Sequence, residues 1–354
     1  MRQARWEEVQ GWNDDNLAEA QSALLESCNA LAKQPVWRGV CEAARALPQN
    51  AAQDAMLRAF FEARFQPWQV VNPDASTEGL VTGYYEPLLR GSRKRNKTFA
   101  HAIYGVPDDL LTIDLGELHP ELKHLRLRGR LDGRKVVPYW ARAELTPRSA
   151  ALAGKALLWV ADPIELFFLQ VQGSGRVELP DGRRVRVGYA DQNGHPYRSI
   201  GRWLVEQGEL KLEQASMQGI QAWARAHPGR LNELLNVNPS FVFFRELPDN
   251  GGGPPGALGV PLTPGRSIAV DPRAIPLGAP VFLSTTFPAS ERPLTRLVMA
   301  QDTGGAIKGA VRADFFWGFG AEAGAQAGRM RQPGRMWVLL PNGFTPPEAT
   351  PNAK

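Results

Sequence analysis

The chain has 354 residues, which is more than one typical domain and predicts two domains with a sizeable core. Hydrophobic residues make up 43% of the chain and charged residues 22%, a composition typical of soluble globular proteins. No segment approaches the roughly 20 apolar residues that a membrane-spanning helix needs, so the sequence excludes such a helix. The formal net charge of +5 favours an anionic partner without identifying it.

The first third of the chain predicts three helices. Asp14 or Asp15 is suited to cap the first helix. The second begins after Pro35, and the third begins near Asn50 and ends before Pro67. Their apolar residues recur at helical spacing and are expected to face inward. These residues are Leu17, Leu24, Leu25, Cys28 and Leu31 in the first helix, Val40, Cys41 and Ala44 in the second, and Met56, Phe60 and Phe61 in the third.

From residue 73 onward the pattern changes to short strands separated by turns. Segment 79–86 has β-branched and aromatic residues without helical spacing, which predicts a buried strand. Asp132-Gly133 and Asp181-Gly182 are typical of hairpin turns. Such spaced strands indicate a β-barrel or sandwich rather than a Rossmann sheet. Further strands are predicted over 241–244, 267–270, 280–283 and 295–300, and further helices over 163–168, 199–206 and 216–227.

The chain start and the two cysteines leave the compartment open. The first residues contain no apolar signal core, so either the protein is cytoplasmic or its export signal is absent from this chain. Cys28 and Cys41 lie in neighbouring predicted helices, as one disulfide if the compartment is oxidising or as two buried thiols if it is not. The basic run 90–97 is read as a solvated loop, with contact to a polyanion as the alternative.

The sequence predicts neither a metal nor a cofactor. The histidines, at positions 101, 119, 124, 195 and 227, lack the helical spacing or cysteine pairing of zinc sites. No Gly-rich phosphate loop with the required Lys-Ser or Lys-Thr follows a strand. The basic residues are scattered, so we predict no nucleic-acid partner.

Two aspartates near the C-terminus are the strongest candidates for chemistry. Asp302 ends a predicted strand before a Gly-Gly turn, where the backbone can approach a ligand closely. Asp314 precedes three aromatic residues, 315–317, which are expected to desolvate its carboxylate and let it hold a proton near neutrality, as a glycosidic general acid does. Lys308 can stabilise negative charge nearby, and the three rings are candidates to stack on sugars. The alternative is structural: Asp302 as a turn former and the aromatic rings as core.

Six sequence blocks, spread along the chain between residues 81 and 320, are considered together. They are VTGYYEP at 81–87, FLQVQGSG at 168–175, GYADQNG at 188–194, VDPRAIPLG at 270–278, DTGGAIKG at 302–309 and RADFFWGFG at 312–320. Together they resemble the membrane-bound lytic murein transglycosylase A family. The last three blocks resemble its 3D module, whose three aspartates match Asp271, Asp302 and Asp314.

The resemblance implies a mainly β fold with N-terminal helices. It implies a double-psi β-barrel into which a second, barrel-like β domain is inserted, with a groove between the two. We therefore assign residues 1–86 to the helical N-terminus and the first part of the barrel, 87–240 to the inserted β-rich domain, 241–344 to the remainder of the barrel with the 3D module, and 345–354 to a disordered tail.

The resemblance also implies roles for individual residues. Asp314 matches the catalytic aspartate, and Asp302 is expected to support it with Lys308. Asp271 is read as structural, because it precedes a proline and can close a turn. The predicted substrate contacts are Tyr85, Glu86, Gln172, Gly173, Ser174 and Trp317.

Each weaker assignment has an alternative. Tyr85 can equally well be a core residue. Glu86, the glutamate at the end of the predicted strand 79–86, can be nominated as a second catalytic carboxylate. The Gly-Ser-Gly segment 173–175 can be a simple connection. Asn193 can contact substrate but is expected to cap the Asn-Gly turn.

The implied activity is that of a lytic exotransglycosylase acting on peptidoglycan without a cofactor. Asp314 is expected to act first as acid and then as base on the bond between N-acetylmuramic acid and N-acetylglucosamine, leaving 1,6-anhydro ends. One alternative is a hydrolase on the same glycan, with Asp302 or Glu86 as a second carboxylate. Another is a non-catalytic wall-binding barrel. The resemblance implies a periplasmic location and outer-membrane anchoring, but the lipid-anchored cysteine of that family has no match in this chain.

Overall fold

The computed structural model describes residues 1–48, 53–122, 125–145, 152–248 and 252–344. The chain divides into two compact units, the first formed by Met1–Tyr85 with Gly251–Lys354 and the second by Glu86–Asn250. The second unit is therefore inserted, in sequence, between the two parts of the first. The tail predicted over 345–354 lies outside the described residues.

Helices occur in both units. The α-helices are α1 (Gln21–Leu31), α2 (Pro35–Arg45), α3 (Gln53–Arg64), α4 (Arg142–Leu145), α5 (Pro163–Gln172), α6 (Ile200–Glu206), α7 (Met217–Ala226), α8 (Leu231–Asn236) and α9 (Gly320–Ala327). Short 3-10 helices are found at Trp6–Glu8, Trp12–Asp14, Leu17–Ala20, Pro120–Leu122, Leu212–Gln214 and Pro228–Arg230. Within the described part of the chain, none of these helices has the length and apolar character needed to cross a bilayer.

Strands form the body of each unit, so the fold is sheet-rich with few helices. The strands are β1 (Arg2–Gln3), β2 (Phe65–Gln69), β3 (Gly79–Glu86), β4 (Leu88–Ser92), β5 (His101–Tyr104), β6 (Leu111–Thr112), β7 (Arg128–Asp132), β8 (Lys135–Pro138), β9 (Ala156–Val160), β10 (Ser174–Glu178), β11 (Arg184–Gln192), β12 (Val242–Leu247), β13 (Ser267–Val270), β14 (Pro280–Thr286), β15 (Pro293–Asp302), β16 (Arg312–Phe319) and β17 (Arg331–Pro341).

Several predicted elements are confirmed. The strands predicted over 79–86 and 267–270 have those bounds. Both hairpins are present, joining β7 to β8 and β10 to β11. The helix predicted over 163–168 is confirmed but runs on to Gln172, where Gly173 adopts a left-handed φ of +79° and ends it.

The first helix differs from the prediction. It begins at Gln21, directly after the 3-10 helix Leu17–Ala20, and neither Asp14 nor Asp15 caps it. Asp15 is instead buried, and its carboxylate pairs with Arg266, a residue some 250 positions away that the local pattern could not reveal.

The third helix agrees with the prediction in part. In α3, Phe60 and Phe61 face inward as predicted, but Met56 is 40% exposed. The predicted start of that helix, near residue 50, lies outside the described residues.

A closed sheet forms the centre of the first unit. Its strand order is β1-β2-β17-β14-β15-β13-β16-β3, and β3 also pairs with β17. This pairing closes six strands, β17, β14, β15, β13, β16 and β3, into a barrel. Strand β13 runs parallel to β15 and antiparallel to β16. Large apolar side chains such as Phe282, Phe315 and Trp337 fill the core of this unit.

The two cysteines of the first unit form a disulfide and are not free thiols. Cys28 on α1 and Cys41 on α2 form a disulfide and are completely buried. Leu24, Leu31, Val40 and their neighbours on the two helices join the apolar cluster that contains the barrel strands. The disulfide therefore ties together two helices that pack on the barrel.

The second unit has two sheets. One has the order β12-β11-β10-β4-β9-β5, and the other is the three-stranded sheet β6-β7-β8. Strand β12 pairs antiparallel with β11 over most of its length, for example Phe244 opposite Tyr189. Residues 241–248 therefore belong to this unit, whereas the sequence analysis assigned them to the barrel. A short apolar run such as 241–244 predicts a strand but carries no information about which sheet it joins.

Candidate active site

Four neighbouring barrel strands bring the two candidate aspartates onto one face. In the register of the sheet, Ala269 of β13 pairs with Asp302 of β15 on one side and with Asp314 of β16 on the other. Because adjacent strands lie about 4.8 Å apart, the backbones of the two aspartates are roughly 10 Å apart. Strand β3 lies beside β16 on the far side, and its Thr82 and Tyr84 share one face because side chains alternate along a strand.

Asp314 has one carboxylate oxygen bonded and the other open. The residue is half-buried, and the Thr82 hydroxyl donates a hydrogen bond of 2.6 Å to Oδ1. Within the described ranges, no further hydrogen bond reaches this carboxylate. Burial raises the pKa of Asp314, while the Thr82 hydrogen bond and the charge of Arg312 oppose that rise. Such a group can hold a proton at a higher pH than a solvated aspartate and can give it to a bound molecule.

Asp302 has both carboxylate oxygens engaged. Oδ1 accepts hydrogen bonds of 2.9 Å from the backbone N–H groups of Ala257 and Thr303. Oδ2 accepts a bond of 3.1 Å from the Tyr84 hydroxyl. Burial raises the pKa of Asp302 to about 6, although these hydrogen bonds act in the opposite direction. A carboxylate that holds two backbone segments and a tyrosine is suited to support the site rather than to react.

Thr82 and Tyr84 are site residues that the sequence analysis missed. Tyr84 is buried and packs on Phe316, with 5.1 Å between the ring centroids. Burial raises its pKa, and the nearby charges of the two aspartates raise it further, so the hydroxyl stays a neutral donor. Alternation along the predicted strand 79–86 places residues 82 and 84 on one face, but nothing in the sequence identifies the strand beside it.

The aromatic residues after Asp314 do not all surround it. Phe316 shares its face and is buried with Tyr84 and Ala269. Phe315 and Trp317 point to the opposite face, because neighbouring residues of a strand alternate. The prediction that all three rings shelter the carboxylate is therefore wrong. Phe315 and Phe316 are each 1% exposed, which leaves them no surface for stacking on a sugar.

Trp317 and Tyr85 lie together on the face away from Asp314. Trp317 is half-buried against Phe315, and its indole N–H contacts the sulfur of Met330 at 3.2 Å. Tyr85 is 8% exposed and packs with Ala323 of α9. The structure thus favours the core alternative for Tyr85.

Glu86 does not match its prediction as a substrate contact or a second carboxylate. It is 0% exposed, and its carboxylate forms a salt bridge of 2.9 Å with Arg176. A second guanidinium, that of Arg186, lies 3.7 Å away. A strand-end glutamate in a sequence looks available, but here two arginines from neighbouring strands enclose it within the second unit.

The contacts of Asp271 fit a structural role, which stays a prediction. Asp271 is buried, and its carboxylate accepts hydrogen bonds from Arg273 and from the backbone N–H of Gly309. Although burial alone acts to raise the pKa, these hydrogen bonds outweigh it and hold the pKa of Asp271 at about 2. Asp271 therefore anchors the end of the glycine-rich loop 303–309, while Asp302 anchors its beginning through Thr303.

We expect Asp271→Asn to lower the free energy of unfolding by about 2 kcal/mol at pH 7, since a depressed carboxyl pKa stabilises the folded state above the pKa of the unfolded chain. That stabilisation is lost as the pH falls from about 4 through about 2, so the difference between variant and wild type should narrow there. Urea unfolding at pH 7 and pH 3 measures both values. Exposed Asp14, changed to Asn, is the control. A difference that is the same at both pH values would contradict this assignment.

Lys308 is exposed at the end of the same loop. No hydrogen bond joins it to Asp302 or Asp314 within the described part of the chain. Its supporting role stays a prediction.

The predicted sugar contacts of the second unit lie where α5 meets β10. Gln172 is the last residue of the helix, Gly173 ends it, and Ser174 begins the strand. Asn193 is 1% exposed, and its amide group donates to the carbonyl oxygens of Trp140 and Pro239. Asn193 thus connects chain segments, and its Oδ1 also accepts a hydrogen bond of 3.4 Å from the backbone N–H of His195, within the turn that it was expected to cap.

The described residues bring no group of three or more histidine, cysteine, aspartate or glutamate side chains together in a way that could hold a metal ion. On the barrel face, Asp314 offers a half-buried carboxyl group whose Oδ2 has no hydrogen-bond partner among the described residues. These features define a protein suited to proton exchange with a bound molecule.

Comparisons with known proteins identify the family. The MltA specific insert domain matches residues 80–245, and the 3D domain matches residues 266–340. Membrane-bound lytic murein transglycosylase A of Escherichia coli (strain K12) is 35% identical over 280 residues, which cover 77% of this chain and 68% of that protein. The chain belongs to the membrane-bound lytic murein transglycosylase A family.

Solved structures of the family resemble the whole chain. The crystal structure of MltA from Neisseria gonorrhoeae, in its monoclinic form, has a TM-score of 0.84 and 41% identity, covering 98% of this chain and 94% of that one. The structure of E. coli MltA with bound chitohexaose has a TM-score of 0.69 and 31% identity, covering 94% of this chain and 90% of that one. The sheet-rich fold is therefore that of the family.

Proposed function

We propose that this protein is a lytic transglycosylase of peptidoglycan. It cleaves the β-1,4 bond between N-acetylmuramic acid and N-acetylglucosamine and leaves 1,6-anhydromuramic ends. Family membership supports this activity, and the relative with bound chitohexaose supports a glycan as the ligand. The observation that carries the proposal is the half-buried Asp314, whose Oδ1 is held by Thr82 and whose Oδ2 has no hydrogen-bond partner in the described part of the chain.

The proposed reaction uses Asp314 twice. The protonated carboxyl group donates its proton to the glycosidic oxygen, and the bond from C1 of the muramic residue to that oxygen breaks. The carboxylate then accepts the proton of the C6 hydroxyl group of the same muramic residue, and O6 forms a new bond to C1. The nucleophile belongs to the substrate, so it acts at high effective concentration, and no water is consumed. The raised pKa of Asp314 suits both steps.

The surroundings of Asp314 also support a mechanism that uses a single carboxylate. A two-carboxylate hydrolase needs a second free carboxyl group across the glycosidic bond. Asp302, the other carboxylate of this face, accepts three hydrogen bonds from protein groups. In the proposed reaction Asp302 orients Tyr84 and the loop that begins at Thr303.

The proposal extends to architecture and location. The closed six-stranded sheet of the first unit fits a double-psi β-barrel, and the unit Glu86–Asn250 fits an inserted β domain. The relatives' name, membrane-bound lytic murein transglycosylase A, supports an enzyme of the cell envelope. We propose a periplasmic location with association at the outer membrane. The Cys28–Cys41 disulfide is in keeping with an oxidising compartment of that kind.

Digestion of purified sacculi tests the proposed activity. We expect soluble muropeptides whose muramic ends weigh one water less than ordinary reducing ends, as read by mass spectrometry. Reducing ends throughout would identify a hydrolase instead. Binding of the protein to sacculi without any soluble product would identify a non-catalytic wall-binding protein.

A further inference from the structure

Arg312 contacts the hydroxyl group that holds the candidate acid. It lies two residues before Asp314 on β16, so the two side chains leave the strand on the same face. The half-buried guanidinium donates to the carbonyl oxygens of Leu80 and Ala313. Its Nη2 also donates to Thr82 Oγ1 across 2.9 Å. Three polar groups thus form a chain from Arg312 through Thr82 to Asp314.

The chemistry of these groups fixes the direction of each hydrogen bond. A guanidinium group has only donors, so the Thr82 oxygen must accept from Arg312. The Thr82 hydroxyl has a single hydrogen atom to give. Asp314 Oδ1 lies 2.6 Å away and accepts it.

This direction decides where the acid proton of Asp314 resides. An oxygen that accepts the Thr82 hydrogen is a poor place for a second hydrogen, so the transferable proton belongs on Oδ2. Oδ2 is the oxygen without a protein hydrogen bond in the described part of the chain. Without Arg312, the Thr82 hydroxyl is free to turn and accept a proton from Oδ1, which would direct that proton into the protein rather than toward a substrate.

We propose that Arg312 is a positioning residue that acts through Thr82 to keep the acid proton on Oδ2 of Asp314. The inference rests on the proposed role of Asp314 and adds to it the group that orients the proton. The charge of Arg312 has a second effect, because it opposes the rise that burial causes in the pKa of Asp314. Loss of Arg312 therefore both misplaces the proton and raises that pKa.

The test compares Arg312→Met and Thr82→Val with wild type, using soluble glycan strands as substrate. We expect each variant to lower kcat about tenfold, the equivalent of one hydrogen bond, with KM within about twofold. A group that must be protonated loses activity as the pH rises through its pKa. The alkaline limb of the kcat profile should therefore move to higher pH in Arg312→Met. A purely structural role would not move that limb.

Two further variants test whether Arg312 acts on Asp314 through the Thr82 hydroxyl group. The double variant Arg312→Met with Thr82→Val should be no slower than Thr82→Val alone, because Arg312 acts through the hydroxyl. Thr82→Ser keeps the hydroxyl and should retain kcat within about threefold. Arg329→Met is the matched control, since Arg329 is exposed and bonds only a backbone carbonyl in the described chain.

The outcomes distinguish this inference from the proposed function. Wild-type kcat and an unmoved pH profile in folded Arg312→Met, with Asp314→Asn inactive, would overturn the positioning role alone. Losses that multiply in the double variant would also overturn it. Activity retained in Asp314→Asn would instead overturn the proposed function on which the inference rests.

Discussion

Asp314→Asn is expected to lower kcat by about 10²- to 10⁴-fold, the range that a positioned general acid and base contributes. Asparagine has nearly the same size, and its oxygen can still accept the hydrogen bond that Thr82 donates to Asp314. It has no acidic proton to give and cannot take one back. The rate of muropeptide release from sacculi, measured at several pH values, gives the loss.

The control for this variant is Asp74→Asn. Asp74 belongs to the same unit, is exposed, and among the described residues its carboxylate bonds only to Ser76 in a turn. We expect wild-type activity from the control and unchanged glycan binding from Asp314→Asn in a pull-down with sacculi. A folded Asp314→Asn protein that works at the wild-type rate would remove Asp314 from the mechanism.

Arg266→Met is expected to lower the free energy of unfolding by about 3–5 kcal/mol, because it leaves a buried charge without its partner. The side chains of Arg266 and Asp15 are 2% and 4% exposed. Two hydrogen bonds, of 2.7 and 2.9 Å, join them, and Asp15 also accepts the backbone N–H of Leu297. This cluster ties the N-terminal 3-10 turns to the barrel. Urea unfolding at pH 7 measures the loss.

An exposed pair in the same unit provides the matched control. Arg5 and Glu8 form a salt bridge with side chains 81% and 44% exposed, and Arg5→Met should change stability by less than about 1 kcal/mol. The double variant of Arg266→Met with Asp15→Leu should recover part of the loss, because it removes both charges. If Arg266→Met alone behaves like Arg5→Met, the buried pair does not hold the N-terminal segment in place.

Local patterns in the sequence predicted local structure well. The apolar strands 79–86 and 267–270 and the Asp-Gly hairpins appear where the pattern placed them. Each is determined by residues within a few positions of one another. The turn at Asp271 could be predicted for the same reason, since the Asp271 carboxylate accepts a hydrogen bond from the backbone N–H of Arg273 two residues later.

What the sequence could not predict depends on pairing between distant segments. Thr82 reaches Asp314, 232 positions away, only because β3 lies beside β16. Tyr84 reaches Asp302 in the same way, while its neighbour Tyr85 points to the other face. The run of aromatic residues after Asp314 suggested one surrounding pocket, but strand alternation divides the run between two faces. A pattern of residue types does not contain that information.

Glu86 and Asp15 show the same limit for charged residues. Each looks available in the sequence, one as a catalytic carboxylate and the other as a helix cap. In the structure each is buried against arginines that are distant in sequence, Arg176 and Arg266 respectively. A carboxylate can be assigned to chemistry only when its partners are known.

Digestion of glycan strands in heavy-oxygen water tests the central claim most directly. If Asp314 protonates the leaving oxygen and then deprotonates the C6 hydroxyl group, O6 of the substrate closes the ring and no oxygen from the solvent enters the product. We predict unlabelled 1,6-anhydro ends, seen by mass spectrometry. Heavy oxygen at C1 of each newly formed muramic end would contradict the account, because water would then be the nucleophile.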